Sequence, residues 1–158
     1  MLINKKTGRG FVIFWSIYKG EARIFRIVLA EKCKLFPESV IASSAEIEKF
    51  SRQIAAFLKG KKVRFDLKIL RWDLCSVFQK KVLRAVNAIP RGKTSTYRQI
   101  ARLIASPKSA RAVGMALAGN PFPLVIPCHR VVRSDLKPGG YQYGTKMKSY
   151  LLRKESPS

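Results

Sequence analysis

One short segment, Pro127-Cys128-His129-Arg130, holds the residues best suited to covalent chemistry in this sequence. Cys128 stands beside the only histidine of the chain, and the cationic side chains of Arg130 and Arg133 follow closely. Positive charge near a cysteine favours the thiolate, which is the nucleophilic form of the side chain. The segment therefore predicts a nucleophilic cysteine at position 128.

The pairing of Cys128 with His129 differs from that of the common cysteine enzymes. Adjacent side chains of an extended segment point to opposite faces, so His129 reaches the sulfur only if the chain turns there or a water bridges the two groups. Papain-like hydrolases take their base from a distant part of the chain, which is a poor match to this pattern. The residues after Cys128 also lack the phosphate-binding loop that a cysteine phosphatase needs.

The other two cysteines, Cys33 and Cys75, are isolated in the sequence, and a buried small hydrophobic position is the ordinary interpretation of such residues. Three irregularly spaced cysteines fit a reducing compartment better than a disulfide scaffold. A single histidine argues against a Cys/His zinc site. We therefore predict no bound metal, no cofactor and a cytoplasmic location.

The charge of the chain points to a polyanionic partner. The 158 residues include 32 Lys and Arg but 9 Asp and Glu, which gives a formal net charge of +23, and 47% of the residues are hydrophobic. A folded protein this basic has the electrostatic signature of a nucleic-acid binder, although a basic surface kept for solubility or a ribosome-like partner would also explain the charge. The sequence has no apolar run long enough to span a membrane, and the apolar stretch 11–18 is too short for a signal peptide.

The elements that must position Cys128 lie in the second half of the chain, where the pattern is helical. The first predicted helix carries the apolar stripe Phe78, Val82, Val86 and Ile89 and stops at Pro90-Arg91-Gly92; the second is capped within 94–96 and has Ile100, Leu103 and Ile104 as its apolar face. A third helix is predicted over Ser109–Ala118, and Thr145 is predicted to cap a last helix that carries Met147, Leu151 and Leu152.

The second and third of these helices have the form of a helix-turn-helix over residues 96–118. The third helix is rich in small residues, which allow close approach of a bulky partner: Ala110, Ala112, Gly114 and Ala116. Small residues more often serve packing between helices. Lys108 and Arg111 at the start of this helix favour DNA, because a helix N-terminus with nearby cations suits a phosphate backbone.

The first part of the chain predicts a small α/β unit without chemistry of its own. Two strands, 11–18 and 22–29, are joined by Lys19-Gly20-Glu21. A capping box at 43–46 precedes a helix that ends at Gly60, and the alternation of Val63, Phe65, Leu67 and Ile69 predicts a further strand. We therefore predict two domains, 1–70 and 71–158.

Four motifs together carry a family resemblance: TYRQIA at 96–101, ARAVG at 110–114, GNP at 119–121 and IPCHRVV at 126–132. Their order and spacing, with the closing LLRKE at 151–155, resemble the O(6)-alkylguanine-DNA alkyltransferases. The resemblance extends from about Phe78 to Glu155. It implies an RNase H-like α/β N-terminal domain and a mostly α-helical C-terminal domain with a winged helix-turn-helix DNA-binding motif.

The resemblance also implies roles for individual residues. Cys128 is the alkyl acceptor, His129 acts through a water as the base, and Glu155 orients His129. Asn120 supports the turn of the active site, and Tyr97 meets the flipped nucleotide. Implied DNA contacts are Tyr97, Ala110, Arg111, Ala112, Gly114 and Arg130, with Arg111 filling the gap left in the base stack. Implied pocket residues are Val131, Tyr141, Gln142, Tyr143 and Lys148, with backbone carbonyls of Cys128 and Val131 facing the guanine amino group.

The implied function is repair of double-stranded DNA that contains O(6)-alkylguanine. A monomer would flip the base and transfer the alkyl group irreversibly, once per protein, to Cys128. The alternative is a non-catalytic alkyltransferase-like lesion sensor, but that sister family carries tryptophan in place of the cysteine. Gln142 stands where serine is common, and Tyr143 stands where some relatives have glycine, which predicts a narrower pocket.

Overall fold

The computed structural model describes residues 4–8, 10–29 and 44–156, which divide into two compact units. The first unit comprises Met1–Leu74 and Pro121–Pro123, and the second comprises Cys75–Asn120 and Leu124–Ser158. The first is mixed α/β and the second is largely helical. Cys33 and Ser43 lie outside the described residues. Among the helices that are described, none combines the length and apolar character needed to cross a bilayer.

The first unit contains a three-stranded antiparallel sheet in the order β1-β2-β3, with strands at Asn4–Gly8, Phe11–Tyr18 and Glu21–Leu29. The strands β2 and β3 confirm the two predicted strands. Lys19 and Gly20 connect them with φ values of 53° and 81°, as in a type I′ turn, whose twist matches that of the flanking strands. The hairpin therefore needs a residue such as Gly20 that adopts positive φ without strain.

The helix α1, Ala45–Leu58, follows the sheet and buries one apolar stripe. Its buried residues are Ile47, Phe50, Ser51, Ile54 and Phe57. Ser44 occupies the N-cap position, but its hydroxyl bonds the Glu46 carboxylate and makes no cap bond to the helix backbone. The predicted helix is thus confirmed, while the predicted capping box at 43–46 includes Ser43 and so lies partly outside the described residues.

The predicted strand over Val63–Ile69 is wrong. Residues 61–66 have no regular secondary structure, and Leu67–Ile69 forms a 3₁₀-helix instead. The Asp66 carboxylate accepts a hydrogen bond of 2.9 Å from the Lys68 backbone amide, which starts this turn. A local side-chain bond of this kind competes with strand pairing, so the ladder is reduced to one bridge between Ile24 and Leu70.

The described part of the second unit contains four α-helices and one pair of short parallel strands. The helices are α2 at Val77–Asn87, α3 at Tyr97–Leu103, α4 at Ala110–Ala118 and α5 at Thr145–Glu155. The strand β4, Ser95–Thr96, pairs with β5, Val131–Val132, so the segment before α3 lies beside the segment after Cys128. All four predicted helices are confirmed, with ends that differ by a few residues.

Helix capping follows the prediction at α3 and departs from it at α5. Thr96 forms a capping box with Gln99: each side chain bonds the backbone amide of the other residue, at 3.2 and 2.7 Å. At α5 the N-cap residue is Gly144, so the predicted Thr145 cap is wrong. The predicted apolar face of α3 is also wrong at Leu103, which is 70% exposed, because burial is centred on Ile100 and Ala101 and turns Leu103 outward.

Candidate active site

The chain turns sharply at Cys128, which lies in a buried 3₁₀-helix, Cys128–Arg130. Pro127 precedes the turn, and the Arg130 amide donates to the Pro127 carbonyl at 2.9 Å. The sequence analysis requires either a turn of the chain or a bridging water for His129 to act on Cys128. The structure has the turn. The helix α5 packs against this turn and brings Lys148 and Glu155 to the same site.

Asn120 ties the segment before Cys128 to the sulfur. It follows α4, is buried, and donates from Nδ2 to the Ile126 carbonyl at 3.1 Å and to the Cys128 Sγ at 3.2 Å. Gln142 donates from Nε2 to the backbone carbonyl of Asn120 at 3.2 Å. An amide donor at the sulfur favours the thiolate, because a hydrogen bond to the charged form stabilises it.

The cation that acts on Cys128 is not one of the two that the sequence indicates. Arg130 is buried and gives its donors to the Glu155 carboxylate and, at 2.6 Å, to the Ile89 carbonyl. Arg133 is exposed and pairs with Asp135. The positive charge that lowers the pKa of Cys128 comes from Lys148. The predicted DNA contact of Arg130 is likewise unsupported, because its guanidinium is enclosed and satisfied within the protein.

Burial has the larger effect on the thiol. It raises the pKa of Cys128 above the usual range, and the Asn120 hydrogen bond, the Lys148 charge and backbone hydrogen bonds reduce that rise. Burial therefore favours the protonated form of the resting cysteine. A base must accept its proton before the sulfur can act as a strong nucleophile.

His129 and Glu155 form a buried pair that can supply such a base. The Nε2 atom of His129 lies 3.0 Å from Glu155 Oε1. Burial lowers the pKa of His129, whereas hydrogen bonds from His129 and Arg130 outweigh burial at Glu155 and hold the pKa of its carboxyl at about 2. An ionised carboxylate only accepts, so the neutral ring carries its proton on Nε2, which makes Nδ1 the basic nitrogen.

Lys148 is fully buried within α5 and is held by backbone oxygens. Its Nζ donates to the Val131 carbonyl at 2.6 Å and to the Gly140 carbonyl at 3.2 Å, and it lies 5.8 Å from the centre of the Tyr97 ring. Burial lowers the pKa of Lys148 to about 8, although the neighbouring Cys128 opposes that change. The Val131 carbonyl, predicted to face a guanine amino group, thus has Lys148 as its partner here.

A cavity of about 390 Å³ opens beside the cysteine. Its lining residues are Tyr97, Gly114, Leu117, Ala118, Cys128, Gly140, Tyr141 and Gln142. Tyr143 packs edge-on against Tyr141, with ring centres 5.7 Å apart. The sequence did not single out Leu117 and Ala118, although their spacing of three and four residues from Gly114 places all three on one side of α4.

The solvent face of α4 combines one cation with small side chains. Arg111 and Ala112 are exposed, while Ala110 and Gly114 are half-buried. A Cβ atom at Gly114 would lie 3.7 Å from the Tyr97 ring, which is ordinary contact, so the fold itself has room for alanine there. The small residue leaves open the space beside the ring, where α4 borders the cavity.

Comparison with known proteins assigns this arrangement to a family. Residues 77–157 match the family described as 6-O-methylguanine DNA methyltransferase, DNA binding domain. The methylated-DNA–protein-cysteine methyltransferase of Methanothermobacter thermautotrophicus is 45% identical over 140 residues, which cover 88% of this chain and 77% of that protein. The chain belongs to the methylated-DNA–protein-cysteine methyltransferase family.

Two solved structures are similar to this chain over nearly its full length. The Mycobacterium tuberculosis OGT in complex with DNA superimposes with a TM-score of 0.74 and 26% identity, over 99% of this chain and 95% of that one. The O6-methylguanine-DNA methyltransferase of Pyrococcus kodakaraensis gives a TM-score of 0.69 and 26% identity, over 98% of both chains. The family thus accounts for the mixed α/β first unit as well as for the helical second unit.

Proposed function

We propose that this protein repairs DNA by moving an alkyl group from the O6 atom of guanine to the Sγ atom of Cys128. The observation that carries the proposal is a buried cysteine on the wall of a cavity, hydrogen-bonded by Asn120 and backed by the charge of Lys148. In the reaction the S–C bond forms as the C–O6 bond breaks, and the guanine takes up one proton. A thioether is a poor leaving group, so each protein acts once.

His129, held by Glu155, takes the thiol proton. Because Nε2 is engaged by the carboxylate, the proton passes to Nδ1, and a bridging water carries it as the resemblance implies. The Glu155 carboxylate stabilises the imidazolium that forms, and Arg130 holds the carboxylate in place. Glu155 and Arg130 are positioning residues, whereas Cys128 and His129 carry the reacting atoms and the proton.

DNA docks on α4 with its base flipped into the cavity. Extruding a base costs a few kcal/mol, and an Arg111 side chain inserted into the stack offsets part of that cost. Tyr97 and the small residues of α4 border the cavity where the nucleotide enters. Tyr143 packs edge-on against Tyr141, which lines the cavity, and this support of the cavity wall favours small alkyl groups over benzyl groups.

The finer architecture belongs to the same proposal. Residues 1–70 are proposed as an RNase H-like domain, which the antiparallel sheet β1-β2-β3 and α1 support. Residues 71–158 are proposed as the DNA-binding and alkyl-transfer domain, with α3 and α4 as a winged helix-turn-helix. The protein works as a cytoplasmic monomer on double-stranded DNA that contains O(6)-alkylguanine, since one chain supplies every group the reaction uses.

A lesion sensor without transfer activity is the competing function, and Cys128 argues against it. A sensor has no use for a nucleophile at this position, nor for a base and a carboxylate arranged behind it. The two functions differ in one measurable respect, which is whether a covalent adduct forms on residue 128.

The Cys128→Ser variant provides the test. We expect wild type to gain one alkyl group per chain when titrated with methylated duplex, as intact-mass analysis would show. The variant should gain none and still bind the same duplex within about threefold, because serine is a far weaker nucleophile of similar size. Cys75→Ser, at another buried cysteine, is the matched control and should react like wild type. Equal alkylation of Cys128→Ser would refute the proposal.

A further inference from the structure

The basic residues of the second unit extend well beyond the helix that docks DNA. Within residues 75–156, which the structure describes throughout, the acidic residues are Asp135 and Glu155. Glu155 is buried and committed to His129 and Arg130, and Asp135 pairs with Arg133 in the turn after β5. Of the remaining cations of this unit, Lys148 is buried and most of the others are exposed, with few acidic residues among them.

The helix α2 directs part of that charge away from the proposed DNA helix α4. Its inner side buries Val82, Leu83 and Val86, and Gln79 on the same side donates to the Ala116 and Gly119 carbonyls at the end of α4, at 3.1 and 2.9 Å. Lys81 and Arg84 are exposed on the opposite side of α2. The spacing of 3.6 residues per turn separates these cations from the buried stripe by about half a turn.

Two helices packed against each other present their solvent faces in different directions. The face of α4 that carries Arg111, Ala112 and Met115 is exposed, and its other side, with Val113 and Leu117, is buried. A duplex laid on the exposed face of α4 therefore has α4 itself between it and α2. Lys81 and Arg84, on the side of α2 opposite to its bonds with α4, therefore face away from the proposed DNA site.

The C-terminal end of α5 adds cations beside the end of α2. Arg91, in the turn after α2, donates from Nη2 to the Lys154 carbonyl at 2.8 Å. The Arg130 bond to the Ile89 carbonyl, together with its bonds to Glu155, ties the same turn to α5. Arg153 and Lys154 are exposed there. We name this set the rear basic surface: Lys81, Arg84, Arg91, Arg153 and Lys154.

We propose that the rear basic surface binds the phosphate backbone of a second DNA segment while α4 holds the first. The surface is built on rigid helices and a hydrogen-bonded turn, and its charge complements a polyanion that the protein already recognises. Contacts to phosphate alone carry no base specificity, so this site tolerates any sequence. The inference rests on the proposed function for the first segment, and it lets one protein bridge two duplexes or pass between them.

A bridging assay tests the proposal on the full chain. The protein is mixed with a short duplex fixed to beads and a second, fluorescent duplex, and the retained fluorescence is measured. Wild type should retain the second duplex at low salt and release it steeply as salt rises. Lys81→Glu/Arg84→Glu should lose bridging by about tenfold or more, because like charge repels phosphate. Lys61→Glu/Lys62→Glu, an equal change on exposed residues of the first unit, is the control and should bridge normally.

A second variant and two readouts keep the outcomes distinct. Arg153→Gln/Lys154→Gln, on the other helix, should lose bridging in the same way. Both variants should still form the Cys128 adduct on an isolated methylated duplex at the wild-type rate, so failed bridging with intact transfer separates this site from the proposed function. Bridging that survives in both variants, or bridged complexes that sediment with two proteins, would overturn the inference. Competition by polyglutamate equal to that by duplex would assign the surface to an acidic protein instead.

Discussion

At the scale of single residues, the site combines opposing influences on one sulfur. Burial raises the pKa of Cys128 and so favours the protonated thiol, from which a base must take the proton. Asn120 and Lys148 limit the rise through a hydrogen bond and a charge. The proposed nucleophile therefore stays unreactive at rest and becomes reactive through its neighbours, which suits the proposed single use of the cysteine.

Lys148 should control the pH dependence of alkyl transfer. The rate should rise with pH as the Cys128 thiol ionises, and Lys148 helps this ionisation while it remains protonated, that is, below its pKa of about 8. In Lys148→Met the rate at pH 7 should fall about tenfold, which corresponds to a rise of about one unit in the pKa of the cysteine. The loss should shrink above pH 9, where the wild-type lysine is also neutral.

Single-turnover rates between pH 6 and 10, measured by intact mass, would check this expectation. Lys146→Met changes an exposed lysine of the same helix and should leave the profile unchanged. If the rate of Lys148→Met were lower than that of wild type by the same factor at every pH, the electrostatic role would be contradicted. Lys148 would then serve only in packing.

Glu155 should make the free energy of unfolding depend on pH below about 4.5. Its pKa of about 2 in the folded protein lies below the usual value of 4.5, so its contribution is present above about pH 4.5 and disappears as the pH falls towards 2. Glu155→Gln leaves Arg130 buried with a weaker partner and should lower the free energy of unfolding at pH 7 by about 3 kcal/mol. The difference from wild type should narrow in acid.

Urea unfolding at several pH values between 2.5 and 7 measures this difference. Asp135→Asn, which disturbs an exposed pair with Arg133, should change the free energy by less than about 1 kcal/mol. A deficit in Glu155→Gln that stays constant down to pH 2.5 would show that the carboxylate charge is not the source of the stability.

At the scale of elements, α4 serves both the packing of the second unit and the proposed contact with DNA. Its buried side, with Val113 and Leu117, packs into the second unit, while its outer side presents Arg111 among small residues. Gly114, Leu117 and Ala118 then form one wall of the cavity that Cys128 faces. The same short helix therefore places both the proposed DNA contact and the proposed base pocket, which links docking to chemistry.

Arg111→Ala should separate reaction on duplex from reaction on the free base. Arg111 is proposed to fill the gap in the base stack and so to stabilise the flipped-out state by a few kcal/mol. Without this side chain, transfer from a methylated duplex should slow by about tenfold or more. Reaction with free O(6)-methylguanine should be unchanged. Arg84→Ala, with the same loss of charge on α2, is the control for rates on a short single duplex. Equal losses on duplex and free base would contradict the role of Arg111.

At the scale of the whole molecule, the net charge of +23 governs association with DNA. Each phosphate that a cation neutralises releases a counterion, so the logarithm of the affinity falls with the logarithm of the salt concentration by about 0.9 per contact. We expect a steep slope for duplex binding, as measured by fluorescence anisotropy. The reaction with the free base should hardly respond to salt. A flat salt dependence for the duplex would contradict the electrostatic account.

The features that local chain chemistry specifies could be predicted from the sequence. Apolar periodicity indicated α2, α3 and α5, and a run of small residues that ends at Gly119 indicated α4. The Thr96–Gln99 capping box marks the start of α3 because both partners lie within one turn. The strand predicted over Val63–Ile69 failed where the Asp66 side chain, itself a local group, favours a turn. Periodicity alone did not weigh that competition.

The amino-acid order was sufficient to mark Cys128 as the candidate nucleophile, since an unusual cluster of residue types is visible without coordinates. It could not tell which cation serves the sulfur. Arg130 lies two residues from Cys128 in sequence, yet it bonds the Ile89 carbonyl and the Glu155 carboxylate, which come from distant parts of the unit. Lys148 reaches the site because α5 packs against the turn of the cysteine. Burial and long-range pairing depend on that packing, and they determine which charges remain to act on the thiol.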